Sequence, residues 1–135
     1  MFKIFKDRNL LLYRPDGIMS TEVILAYIQG VLTHQDFQPG LIEFIDLGAV
    51  SEWRLSISEV EKITQFDNVD MTPIKRIIKT GIYAPTDVAY GMARMYQSLA
   101  ERYHAHIFIS KHLEETLQYL GLSDAVYRKL TGTPG

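Results

Sequence analysis

Apolar and polar residues alternate over positions 2–6 and again over 10–14, with Asp7-Arg8-Asn9 between the two runs. A period of two interrupted by residues that turn readily predicts a β-hairpin, with Pro15-Asp16-Gly17 as its stop. The period then changes. Val23, Ile24, Tyr27, Ile28, Val31 and Leu32 recur at helical spacing behind Ser20 or Thr21, either of which can cap a helix start. Gln38-Pro39-Gly40 breaks the chain, and Leu41 to Leu47 is apolar at nearly every position. That pattern predicts an interior strand covered on much of both faces.

Ser56 and Glu59 have the spacing of a capping box, with Leu55 and Val60 placed as its hydrophobic staple. Ile57, Val60 and Ile63 continue a short helix to about Phe66. After a loop ending at Pro73, Ile74 to Ala84 reads as a strand, in which Gly81 marks a bulge or the close approach of a packed helix. Pro85 ends it. Thr86 or Asp87 then caps the longest helix, through about Arg102, with Val88, Met92, Met95 and Leu99 as its core stripe. His106 to Ile109 is the last strand, Ser110 caps a helix closed by Gly121, and a short helix follows from Ser123 to Leu130.

The resulting order, β-β-α-β-α-β-α-β-α, predicts an α/β fold with a mostly parallel sheet and right-handed crossovers. One domain is expected over 1–130, followed by a flexible tail at 131–135.

Composition narrows the chemistry. Apolar residues make up 47% and charged residues 22% of the 135, a globular balance. Cysteine is absent, which removes disulfides, thiolate nucleophiles and cysteine metal sites and fits a reducing, cytoplasmic setting. Fourteen basic and sixteen acidic side chains leave a net charge of −2, which does not favour nucleic acid as a partner. The densest basic group, Lys75, Arg76 and Lys79, falls within an Ile-rich strand pattern and reads as a solvated edge. The N-terminal residues alternate rather than forming the apolar run of an export signal, and the run Val23 to Ile28 is too short for a membrane span.

In parallel sheets, ligands gather beyond the carboxyl ends of the strands. Asp46-Leu47-Gly48 closes the central strand, Ala84-Pro85-Thr86-Asp87 the next and Ser110 the last. The candidate ligand-binding residues are therefore Asp46, Thr86, Asp87, Tyr90, Gly91 and Arg94. Tyr90 and Arg94 are four apart and share a helix face distinct from that of Met92 and Met95. Gly91 costs about 1 kcal/mol relative to alanine inside a helix, so tight packing or a ligand against the backbone is expected there. Arg94 can attract an anion or pair with Asp46 or Asp87. Asp87 at the helix start would repel a phosphate, and neither the Walker nor the dinucleotide fingerprint is present. His104 and His106, with His112 nearby, have no carboxylate fixed beside them, so no metal and no cofactor is expected.

The segment Ile82-Tyr83-Ala84-Pro85-Thr86-Asp87-Val88-Ala89-Tyr90-Gly91-Met92-Ala93-Arg94-Met95 carries a resemblance. Together with Ile45-Asp46-Leu47-Gly48-Ala49-Val50 and Ile107-Phe108-Ile109-Ser110, it resembles small bacterial proteins of the STAS/anti-sigma-factor-antagonist-like class. Their fold is shared in outline with CRAL-TRIO lipid-binding domains. The resemblance implies a β-α superhelix with its helices mainly on one side of the sheet. It also implies a phosphorylatable serine in an Asp-Ser-Ser-Gly-like turn after the central strand. Here Val50-Ser51-Glu52-Trp53-Arg54-Leu55 stands in that place and lacks the turn, leaving Ser51 and Ser56 as the nearby serines.

With helices on one side, apolar residues of the other face would want a partner, a second copy of the chain or a lipid-like ligand. The expected function is a non-enzymatic binding or regulatory module with a protein partner or a small anionic or apolar ligand. The alternatives are a lipid-like ligand carrier, a structural homodimer, and an enzyme using Asp46 or Asp87 as a base.

Overall fold

A computed structural model describes residues 2–64, 77–100 and 106–132. β1 (Phe2–Phe5) and β2 (Leu10–Tyr13) form the expected antiparallel hairpin. Its turn is a 3-10 segment, Lys6–Arg8, closed by Asn9 in the left-handed region at φ 51°. Asparagine tolerates that conformation better than most residues. α1 (Thr21–Thr33) is capped by Ser20, whose hydroxyl accepts from the Val23 amide at 3.3 Å. The later elements are β4 (Ile42–Asp46), α2 (Ile57–Thr64), β6 (Lys79–Tyr83), α3 (Asp87–Ala100), β7 (Ile107–Ser110), α4 (Leu113–Leu120) and α5 (Asp124–Thr131). The capping box before α2 is reciprocal: the Glu59 amide donates to Ser56 Oγ and the Ser56 amide to Glu59 Oε1, each at 3.3 Å.

Two strands were not anticipated. Asp16–Ser20, which takes in Asp16 and Gly17 of the expected stop, is β3, and Ala49–Arg54 is β5; they pair in parallel as a ribbon of their own. A turn closed by the Val50 amide on the Leu47 carbonyl at 3.3 Å leads into β5, yet each strand depends on a partner distant in sequence. Ser51 is exposed on β5. The remaining strands form a five-stranded sheet in the order β1-β2-β4-β6-β7, parallel except for β1. The mixed α/β class and the mostly parallel sheet are as expected.

Side chains alternate across a strand, so each strand of this sheet supplies two faces. On one face, Leu11, Glu43, Ile45, Thr80, Ile82 and Ile107 meet α1 and α3, with α2 packed beside them. On the other, Leu10, Leu12 and Phe44 meet Leu117 and Leu120 of α4 and Tyr127 of α5. Three helices thus lie on one side and two on the other. The opposite face is not bare, because the last two helices return to cover it; the expectation that its apolar residues need a partner or a lipid-like ligand is not met.

α3 is rotated relative to its expected stripe. Val88 is 56% exposed, whereas Ala89 and Ala93 are buried against Ile82, Ala84 and Ile107. Small residues let the helix axis come close to the sheet, and that proximity decides which face turns inward. Gly81 serves the same end on the other side: a Cβ there would lie 2.9 Å from Leu120 Cγ. Close approach by a packed helix is therefore the reason for this glycine. Gly121 ends α4 at φ 73°, as its position predicts. Of the strand expected from Ile74, the described part begins with Ile77 and the exposed Ile78, which precede β6 at Lys79. The expected element ends at Phe66 and Arg102, the segment through Pro73 to Arg76, His104 and residues 133–135 lie outside the described residues. So do the side chains of Ile57, Val60, Ile63 and Leu99. No helix among the described residues is long and apolar enough to cross a membrane.

Gly81→Ala should destabilise the fold by about 1–3 kcal/mol through overpacking against Leu120. Urea denaturation with an unchanged m-value measures it, and a cost near zero would show that α4 shifts freely.

Candidate functional site

β6 and β7 are neighbours, in parallel register from Thr80↔Ile107 to Tyr83↔Ser110. Beyond their carboxyl ends the chain departs in opposite directions. β6 feeds α3 on one face of the sheet, and β7 feeds α4 on the other. Divergence of two adjacent connections opens a crevice at the strand ends, the usual ligand position in open α/β sheets. An open depression of about 470 Å³ lies on the β7 side of this divergence, lined by Tyr90, Phe108, Ile109, Ser110, Lys111, His112 and Glu115.

Each wall has a local cause. Thr86 caps α3, its hydroxyl accepting from the Ala89 amide at 3.1 Å. Asp87, at the first turn, has a side chain 94% exposed and forms an ion pair and hydrogen bond with Lys111. The bond to Lys111 and its charge hold the Asp87 carboxyl below the usual carboxylate range. The Lys111 ammonium also stands 5.5 Å from the centroid of the Tyr90 ring, within cation–π reach. Ser110 is not the α4 cap. His112 holds the cap position, while Ser110 accepts from the His112 amide at 3.0 Å and donates to Glu115 Oε1 at 2.5 Å. The loop leaving β7 is thereby braced.

The six expected site residues divide into three groups. Tyr90 lines the depression, Asp87 is paired with the lining residue Lys111, and Thr86 caps α3 without lining it. Gly91 and Arg94 are exposed, and a Cβ on Gly91 would meet nothing within 4 Å. Neither tight packing nor a neighbouring backbone explains this glycine. Asp46 belongs to the opposite face of the sheet, where it is buried. Its Oδ1 accepts from the Gly48 amide at 2.9 Å, its Oδ2 accepts from the Tyr127 hydroxyl at 2.9 Å, and Arg14 Nε lies 3.4 Å from Oδ2. Arg14, not Arg94, is its cation. Burial, with Asp46 next in importance, pushes the Tyr127 hydroxyl up to about 12. This cluster ties α5 to the end of β4.

Lys111 was missed by sequence reasoning, although a lysine directly after the apolar run Ile107 to Ile109 and Ser110 marks a strand exit, and His112 was weighed only as a metal ligand. Glu43 was also missed as an individual residue. A charged side chain inside the interior run Leu41 to Leu47 is its signal. Among the described residues, no group of three or more histidine, aspartate or glutamate side chains is placed to hold a metal ion. No protein-family model matches the chain, and no curated protein matches it.

Because space around Gly91 is open, Gly91→Ala should stabilise the protein by roughly 0.5–1 kcal/mol in thermal or urea unfolding. Tyr127→Phe leaves Asp46 with one donor fewer in a buried place and should cost about 1–3 kcal/mol. A value indistinguishable from zero would mean that the Tyr127 hydroxyl does not anchor α5.

Proposed function

We propose that this protein is a non-enzymatic binding or regulatory module, of the STAS-like type its sequence resembles, which takes an acidic group in the crevice between β6 and β7. The acidic group belongs to a small anionic molecule or to a protein partner. The observation that carries this reading is Lys111, a cation placed at a diverging strand exit and tethered by the largely exposed Asp87. An incoming anion can exchange with Asp87 at little cost, since that carboxylate is well hydrated. Tyr90 offers a flat ring beside the ammonium, and Phe108 and Ile109 add apolar surface for the remainder of a ligand.

An enzymatic role for the two expected bases is less well supported. Both Asp46 oxygens already accept hydrogen bonds, and Oδ2 also faces Arg14. Asp87 is held ionised by Lys111 and is correspondingly weak as a base near neutral pH. The lipid-like carrier loses its main support, because α4 and α5 cover the face that was expected to be open.

Titration of the 15N-labelled protein with inorganic phosphate and with benzoate should move the amide resonances of residues 108–115. Lys111→Ala should weaken that response roughly tenfold or more, with thermal stability nearly unchanged. If neither probe moves those amides, or if Lys111→Ala binds as well as the parent, the crevice is not the site.

A further inference from the structure

Glu43 occupies the middle strand of the sheet and is buried on the α1/α3 face. Among the described residues, its hydrogen-bond donors are hydroxyls. Tyr27 of α1 donates a short hydrogen bond to Oε2, and Thr80 of β6 donates to Oε1 at 2.7 Å. The Tyr96 phenol of α3 is pushed upward, first by burial and then by the Glu43 charge. From β2, Tyr13 stacks on the Tyr27 ring with centroids 3.7 Å apart and planes 6° from parallel. No cation among the described residues offsets the carboxylate. Asp46, three residues along the same strand, has Arg14.

A carboxylate taken out of water without a cation loses several kcal/mol of solvation, only part of which two neutral donors restore. The neutral acid escapes that penalty while keeping both oxygens in hydrogen bonds. We propose that Glu43 is carried as the protonated acid in the folded protein, and that its ionisation is a pH-sensitive release on the packing of α1 against the sheet. The site is independent of the crevice between β6 and β7.

Burial raises the proton affinity of Glu43, and the bonds from Tyr27 and Thr80 oppose that rise without cancelling it. The sign follows. A folded-state value above the unfolded one means that the folded chain holds the extra proton. Its stabilising contribution is full below the ordinary carboxylate range and is lost as pH rises through the folded value. The phenols of Tyr13, Tyr27 and Tyr96 are all pushed upward by burial, so they stay neutral across this window.

The direct test is a pH titration of the side-chain carboxyl carbon of Glu43 by 13C NMR in the intact, folded chain. A signal that stays at the protonated position, or moves to the ionised one only above the range of ordinary glutamates, supports the proposal. A signal already ionised at pH 5 overturns it. In parallel, the unfolding equilibrium constant of the parent should rise with pH, by at most about tenfold per pH unit where one proton is released. Glu43→Gln should remove that component. Tyr27→Phe deletes a donor that favours the charged form and should move the Glu43 midpoint to higher pH. If Glu43→Gln fails to fold, the carbon titration and the Tyr27→Phe shift still decide the matter. A parent and a folded Glu43→Gln variant with the same pH dependence would overturn it.

Discussion

Strand β4 has to bury both of its faces, and much of the remaining structure is arranged around that requirement. Helices cover it on either side, so each side chain from Glu43 to Asp46 meets protein rather than water on the sheet's two surfaces. Two of the four are carboxylic acids, on opposite faces. Burying such a group obliges other elements to bring donors to it. α1 must present Tyr27 to Glu43, and α5 must present Tyr127 to Asp46. Both helices are therefore positioned by polar contacts with the middle of the sheet as well as by apolar packing. Among the described residues the two acids differ in what answers them: a guanidinium, a phenol and an amide for Asp46, and two hydroxyls for Glu43.

The crevice depends on the same two-sided covering. It opens because the connection after β6 and the connection after β7 leave on different sides. How closely the helices approach is set by small residues, Ala89 and Ala93 under α3 and Gly81 beneath α4. A larger residue at any of these positions would push a helix outward and change the spacing between Tyr90 and Lys111. The crevice's geometry is thus determined partly by residues that do not line it.

Features with local causes were legible in the sequence. The hairpin, the Ser20 cap, the Ser56–Glu59 box and the Gly121 terminus each rest on a few adjacent residues and a definite stereochemical reason. Contacts between distant segments were not. β3 carries Pro15-Asp16-Gly17 at its start, the sequence of a turn, and becomes a strand only because β5 is there to pair with it. The stripe of α3 was misplaced by ranking Val88 above the alanines, although closeness to the sheet favoured the smaller side chains. Among the site residues, Thr86, Asp87 and Tyr90 were legible because they follow a strand end directly. The cation that meets them, Lys111, arrives from the next strand, and the partner hydroxyl of Asp46 lies 81 residues away.

The β3–β5 ribbon has an energetic consequence of its own. Its two strands enclose all of α1 and β4 in the intervening chain, and their parallel sense means that no tight turn can join them. Closing a loop of that length costs roughly 2 kcal/mol more chain entropy than closing the short β1–β2 turn. Parallel pairing is also slightly weaker per residue than antiparallel pairing. The ribbon is therefore conditional on the elements it encircles: once α1 and β4 are docked, most of the closure has already been achieved, and before that the pairing has little to sustain it. It acts as a latch on a completed α1–β4 unit, and a cooperative one, since losing either enclosed element also removes the reason for the two strands to meet.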